Sequence, residues 1–93
     1  MFIYLSGNID SVTDFETFKS IERELIHKGH RINNVVDISA SDDITYKKNR
    51  MKNVIKADKL LLIKGWEKSK DALQECELAK YIGIPVEEFD DKN

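Results

Sequence analysis

The chain has 93 residues, of which 41% are hydrophobic and 34% charged, and its formal net charge is −2. This length predicts a single domain over residues 1–93, and a charge close to zero argues against a nucleic-acid partner. Apolar runs such as LLLI at 60–63 are too short to cross a membrane, and the single cysteine fits a reducing, cytoplasmic location.

The first half of the chain alternates between strand and helix periodicity. A buried strand at 2–6 (FIYLS) precedes a helix at 11–29, which we expect Thr13 to cap and Gly29 to end. A short second strand follows at 31–36 (RINNVV). The apolar stripe of the helix comprises Phe15, Phe18, Ile21 (or Glu22) and Leu25.

The second half continues this alternation. Residues 44–57 form a weaker helix, 59–63 (KLLLI) the clearest strand, and 69–82 a third helix that a glycine ends. A fourth strand lies within 84–89, and we expect the tail DDKN at 90–93 to fray. The weaker helix offers the core Tyr46, Met51, Val54 and Ile55.

The order βαβαβαβ, with strands apolar on both faces, predicts a four-stranded parallel sheet in a three-layer α/β/α sandwich. Ligands of such sheets bind beyond the carboxyl ends of the strands, where the strand order reverses. We therefore expect ligand contacts in three loops, at 6–13, 37–43 and 65–70. A chain this short has little core to give up to a cleft, so we also expect a homo-oligomer in which a neighbouring subunit completes the site.

The first of these loops lies within YLSGNID and follows the first strand. Gly7 there would let the backbone approach a sugar or phosphate, with Tyr4 or Ser6 hydrogen-bonding nearby. A tight turn between strand and helix explains the same glycine, and both interpretations stay open.

Residue types that bind metals are few. His27 and His30 straddle the end of the first helix, and Cys76 lies on the third, so together they show no metal-ligand spacing. We expect both histidines at the surface and the cysteine in the core, with no metal or redox cofactor.

Two glutamates on the third helix are candidates for acid–base or nucleophilic chemistry. Glu75 and Glu77 point ~200° apart on a helix, so only one of them can face a cleft. Glu77 has Lys80 and Tyr81 on its side, which is an ordinary exposed arrangement. Glu75 lies on the flank of the apolar face, close after the third loop, although helical geometry alone favours a solvated side chain there too.

Three segments resemble a known family: IYLSGNI at 3–9, ADKLLLIKGWEKSKDA at 57–72 and ECELAKYIGIPV at 75–86. The chain is similar over nearly its whole length to the DUF4406 domains, which are assigned to the nucleoside 2-deoxyribosyltransferase-like superfamily. This resemblance implies a Rossmann-like α/β sandwich that binds a nucleoside or nucleotide.

The resemblance also implies roles for particular residues. In family enzymes a helix glutamate, eight residues before the glycine that ends its helix, attacks the anomeric carbon of the sugar. Here that spacing runs from Glu75 to Gly83, and a strand-one tyrosine, Tyr4, orients the carboxylate. Ser69 is a good N-cap for the third helix and takes the place of a phosphate-contacting serine at a helix N-terminus. With Lys68 and Lys70 beside it, it favours a nucleoside monophosphate over a free nucleoside as the ligand. The expected ligand-contacting set is Ser6, Gly7, Asn8, Arg50, Gly65, Trp66 and Ser69.

Two positions depart from the family pattern. Arg50 stands where family enzymes carry an aspartate that supports the leaving base, eight residues before Asp58. Asp71 stands where the pattern has a glycine, and an aspartate there adds bulk and repels phosphate.

Three functions remain open on the sequence. The first is an N-glycosidase or deoxyribosyltransferase acting on a (deoxy)nucleotide, with Glu75 as nucleophile. The second is a non-catalytic protein of phage type that senses or sequesters a nucleotide, with Arg50 as a phosphate ligand or a solvated helix residue. The third is an adaptor that binds protein through an exposed Trp66.

Overall fold

The structure is a computed structural model that describes residues 1–89, so the predicted frayed tail at 90–93 lies outside the described residues. Strands and helices alternate as the sequence predicts. Their bounds are β1 Phe2–Ser6, α1 Val12–His27, β2 Arg31–Asn34, α2 Asp43–Lys56, β3 Lys59–Leu62, α3 Lys70–Ile82 and β4 Val86–Glu88, with short 3₁₀ turns at Val35–Asp37 and Trp66–Lys68.

Within residues 1–89 the four strands form one parallel sheet in the order β2-β1-β3-β4. β1 lies in the interior of the sheet, and the chain crosses from β2 on one side of β1 to β3 on the other. The strand order therefore reverses between β1 and β3, which is where a parallel sheet opens a crevice for a ligand.

Alternating side chains of β1 face the two helical layers. Tyr4 and Ser6 reach side chains of α2 and α3, whereas the next residue, Gly7, lies against Phe18 of α1. Helices α2 and α3 also pack against each other. The arrangement is the predicted three-layer α/β/α sandwich with α1 on one face and α2 and α3 on the other.

The N-cap of helix α1 lies two residues before the predicted one. Ser11 is the N-cap, and its hydroxyl accepts the N–H of Asp14 at 3.1 Å, whereas Thr13 lies inside the helix. The predicted end is confirmed, because Gly29 has φ +96° and the N–H of His30 reaches the carbonyl of Leu25. Phe18, Ile21 and Leu25 are buried as predicted, but Phe15 is exposed.

The second strand is shorter than the predicted 31–36. The amide of Asn34 accepts the N–H of Val36 and donates to the carbonyl of Phe18, which turns the chain into the 3₁₀ segment after Asn34. In α2, Val54 is buried as predicted but Ile55 is exposed. The position one turn before Val54 belongs to Arg50, which enters the interior although it is charged.

The helices of the described region are not membrane spans. In residues 1–89 no helix combines the length and the apolar character needed to cross a bilayer. The helices instead present one apolar stripe each to the sheet. In this described region the buried apolar residues of strands and helices form one core cluster.

Candidate functional site

A group of polar side chains is enclosed between the sheet and helices α2 and α3. Strand β1 contributes Tyr4 and Ser6, two residues apart and therefore on the same face, near its carboxyl end. Helix α2 contributes Arg50, and helix α3 contributes Glu75. We call Tyr4, Ser6, Arg50 and Glu75 the polar cluster.

The centre of the polar cluster is an ion pair between Arg50 and Glu75. The arginine Nε lies 3.1 Å from Oε2 of Glu75, and Nη2 lies 2.7 Å from Oε1, so the two planar groups meet through two parallel hydrogen bonds. Glu75 is 0% exposed and Arg50 4% exposed. Helical geometry alone favoured a solvated Glu75, but the structure buries it, because a cation and two hydroxyls replace the water that it would lose.

The two hydroxyls complete the coordination of this carboxylate. Tyr4 donates to Oε2 and Ser6 donates to Oε1, while the oxygen of Ser6 also accepts from Nη2 of Arg50 at 3.0 Å. Each oxygen of Glu75 therefore accepts two hydrogen bonds. Among residues 1–89 no buried side-chain nitrogen or oxygen lacks a partner, which is the condition for enclosing charges at tolerable cost.

Burial and the ion pair shift the pKa values of two cluster members. Burial, together with the charge of Glu75, raises the pKa of the Tyr4 hydroxyl well above its ordinary value, so Tyr4 is a hydrogen-bond donor at any physiological pH. Burial alone would lower the pKa of Arg50, but its hydrogen bonds to Glu75 and the charge of that carboxylate outweigh it and raise the pKa. Arg50 is therefore permanently charged.

Two further side chains touch the outer edge of Arg50. Nη1 lies 3.4 Å from Oδ2 of Asp71 and 3.5 Å from the hydroxyl of Tyr46, and the guanidinium lies 5.7 Å from the centre of the Tyr46 ring. The side chain of Asp71 is 30% exposed, so it lies between the guanidinium and solvent. Every N–H group of Arg50 thus has an acceptor.

The other predicted residues on the first loop have different positions. Gly7 is buried, and a Cβ atom there would lie 2.9 Å from Cζ of Phe18 and 3.3 Å from the carbonyl oxygen of Ile63. Close packing therefore explains this glycine. Asn8 is half-buried and donates to the carboxylate of Asp10 at 2.6 Å.

The predicted residues on the third loop shape the start of α3. Gly65 has φ +95°, a conformation that favours glycine, and begins the 3₁₀ turn. Trp66 packs against the core, and its indole N–H donates to Glu88 at 2.7 Å. The hydroxyl of Ser69 accepts the N–H of Ala72 and so caps α3 as predicted.

A separate cleft of about 590 Å³ opens where the strand order reverses, on the α1 side of the sheet. Its floor is apolar, with Phe18, Ile21 and Ile63, and its rim carries two acids and two lysines. Glu75 is not part of this cleft, because β1 lies between the two.

Sequence reasoning missed Tyr46 and Asp71 as partners of Arg50 and missed the pairing of Arg50 with Glu75. A signal was present, since Arg50 and Asp71 are the two positions that depart from the family pattern and they carry opposite charges. A gained positive charge at one position and a gained negative charge at another suggest a contact between the two. Each change considered alone suggests only the loss of a family function.

Comparison with known proteins agrees with the architecture. A family model described as a domain of unknown function, DUF4406, matches residues 1–88. The fold is similar to that of a solved 2-deoxyribosyltransferase from the psychrotolerant bacterium Bacillus psychrosaccharolyticus, with a TM-score of 0.80 and 17% identity over 96% of this chain and 72% of that one. No curated protein matches the chain. The predicted nucleoside 2-deoxyribosyltransferase-like fold is confirmed.

Proposed function

This chain belongs to the DUF4406 family, and we propose that it binds a nucleoside or nucleotide without cleaving the glycosidic bond. The ligand class is supported by the fold, which is similar to that of a 2-deoxyribosyltransferase. The position of the polar cluster supports it as well, because the cluster lies at the carboxyl end of the sheet, where ligands of such folds bind.

We infer the absence of cleavage from one observation: each oxygen of Glu75 already accepts two hydrogen bonds, and none of the residue is exposed. A carboxylate attacks a sugar carbon through a free lone pair that points at that carbon. In Glu75 the lone pairs are occupied by hydrogen bonds from Tyr4, Ser6 and Arg50, so none points freely at a ligand. A positive charge at 2.7 Å also makes the carboxylate a weaker nucleophile.

Binding and cleavage can be measured in the same samples. We would titrate the protein by calorimetry with nucleosides and their monophosphates and then analyse each mixture by chromatography for released base. We expect heat of binding with the ligand recovered intact. Base release that disappears in Glu75→Gln but persists in Glu77→Gln would overturn the proposal, since the exposed Glu77 lies on the same helix as a matched control.

A second candidate function is an N-glycosidase or deoxyribosyltransferase, and the contact between Tyr4 and Glu75 favours it. The resemblance implies this same tyrosine–carboxylate pair in family enzymes. Glu75 would bond to the anomeric carbon as the C–N bond breaks, the base would leave with the electron pair and take a proton, and water or a second base would release the sugar. Arg50 must first leave Glu75, so we expect turnover only under conditions that open the ion pair.

The interpretation as a protein adaptor has less support than either. Trp66 packs against the core and its N–H is bound to Glu88, so neither its ring nor its polar group is free to anchor a partner.

Assembly with a second copy of the chain is a separate proposal. The outer sides of α2 and α3 expose Ile44, Ile55, Leu73 and Tyr81, and light scattering after size-exclusion chromatography would report the number of subunits.

A further inference from the structure

Arg50 has an inner and an outer edge. On the inner edge, Nε and Nη2 make three hydrogen bonds of 2.7–3.1 Å to Glu75 and Ser6. On the outer edge, Nη1 makes two long contacts, 3.4 Å to Asp71 and 3.5 Å to Tyr46. The outer edge is therefore the part of the guanidinium that a ligand could bind without breaking the buried ion pair.

Asp71 occupies this outer edge. It lies in the first turn of α3, two residues after the N-cap Ser69, and its side chain is 30% exposed where that of Glu75 is 0% exposed. Its carboxylate thus lies at the surface end of the polar cluster, where the phosphate of a ligand approaching Arg50 would have to sit.

From this contact we propose that Asp71 determines ligand specificity: its carboxylate fills the anion position on Arg50 and so excludes phosphorylated ligands in favour of uncharged nucleosides. This inference rests on the proposed function, because it names which members of that ligand class the site accepts. It also reverses the role expected for Arg50, which becomes a neutralised cation rather than a phosphate ligand.

The charges around the site act in the same direction. One cation, Arg50, faces two carboxylates, Glu75 and Asp71, so the enclosed group has a net charge of −1 and repels an anion. At the start of α3, the hydroxyl of Ser69 is bound to the N–H of Ala72. The lysines on either side of Ser69 are matched by Glu67 and Asp71, so this segment offers a phosphate no excess of positive charge.

The test compares two ligands in four proteins. The ligands are a nucleoside and its 5′-monophosphate, and the proteins are wild type, Asp71→Ala, Asp71→Asn and the control Glu77→Gln. Ala vacates the position, whereas Asn removes the charge but still accepts a hydrogen bond from Nη1. Urea unfolding of each variant shows that it is folded.

We expect wild type and Glu77→Gln to bind the nucleoside about tenfold or more tightly than the monophosphate. The phosphate would have to displace Asp71 from Arg50, and one hydrogen bond between charged groups is worth at least that factor. Asp71→Ala should lose or invert this preference, and Asp71→Asn should lie between the two. A monophosphate that binds wild type as tightly as the nucleoside would overturn the inference, and so would an unchanged ratio in Asp71→Ala.

A titration with inorganic phosphate separates this inference from the proposed function. We expect Asp71→Ala to bind phosphate at least tenfold more tightly than wild type, whether or not nucleosides bind. If no nucleoside or nucleotide binds any variant but phosphate binding appears in Asp71→Ala, the proposed function fails and the role of Asp71 stands. If phosphate binds wild type and Asp71→Ala alike, the role of Asp71 is wrong.

Discussion

Arg50 and Glu75 are 25 residues apart in sequence, on different helices, and meet through two hydrogen bonds of 3.1 Å and 2.7 Å. The paired geometry fixes the distance and rotation of α2 relative to α3, because two parallel bonds between planar groups allow little twist. Removing either partner leaves a charge enclosed without compensation. The stability of the protein should therefore depend on this pair far more than on its surface charges.

The first prediction concerns Glu75→Gln. The amide nitrogen of a glutamine would face an N–H donor of Arg50, and the guanidinium would lose its balancing charge, so we expect unfolding free energy to fall by about 3–5 kcal/mol. Urea unfolding at neutral pH measures this. The exposed Glu77 on the same helix is the control, and Glu77→Gln should change stability by no more than about 0.5 kcal/mol. Similar losses in both variants would show that the ion pair is not the cause.

The second prediction concerns the double replacement Arg50→Met with Glu75→Leu. Each single change strands one buried charge, whereas the pair removes both and keeps much of the apolar volume. We expect the double variant to be more stable than either single variant, with a coupling energy of at least about 2 kcal/mol from a double-mutant cycle. Costs that simply add would mean that the two groups act independently.

The third prediction concerns Tyr4 and alkaline pH. The pKa of its hydroxyl is raised in the folded protein, so the folded state keeps this proton where the unfolded chain loses it. The resulting stability is complete below pH ~10 and declines as pH rises above that value, by up to about 1.4 kcal/mol per pH unit. Between pH 9 and 11, wild type should lose about 1.4 kcal/mol more than Tyr4→Phe.

The control for this prediction is Tyr81, which is 90% exposed on α3. Tyr81→Phe should follow the pH dependence of wild type over the same range. Parallel curves for wild type and Tyr4→Phe would contradict the prediction. At neutral pH, Tyr4→Phe should also cost about 1.5–3 kcal/mol, the value of a hydrogen bond to a charged group.

The fourth prediction concerns Gly7→Ala. An added Cβ would lie 2.9 Å from Cζ of Phe18, which is closer than such atoms approach, so we expect a loss of about 1–3 kcal/mol from overpacking. Gly7 is not among the glycines with positive φ, so backbone strain does not contribute. Phe18→Leu shortens the opposing side chain, and Gly7→Ala should therefore cost less in that background. An equal cost in both backgrounds would contradict this prediction and point to the carbonyl oxygen of Ile63, 3.3 Å from the same position, as the cause.

The sequence predicted the sheet, the three helices and, except for Phe15, the buried face of α1 because these follow from local patterns. Apolar runs such as KLLLI indicate buried strands. A glycine such as Gly29 marks the end of a helix, because the positive φ needed there favours glycine. The cap of α1 was misplaced by two residues because Ser11 and Thr13 are both competent caps with an acidic residue three positions later.

The polar cluster could be predicted only in part. The spacing from Glu75 to Gly83 selected the glutamate that lies in the polar cluster, but the same spacing says nothing about what surrounds it. The position of Arg50 was ambiguous, because a charged residue on a helix is expected in the interior only if a partner for its charge can be identified. That partner is 25 residues away in sequence. Contacts between distant segments depend on how helices pack, which hydrophobic periodicity does not encode.

The position of β1 inside the sheet has a consequence for how the chain folds during synthesis. β1, α1 and β2 are made first and can pair at once, whereas β3 and α3 arrive later. At about 5–20 residues per second, the 25 residues between Arg50 and Glu75 take roughly 1–5 s to make, far longer than a helix needs to form. During that interval Arg50, Tyr4 and Ser6 must remain hydrated. Closure of α3 over them therefore comes after the pairing of β1 with β2 and before β4 is added to the sheet beside β3.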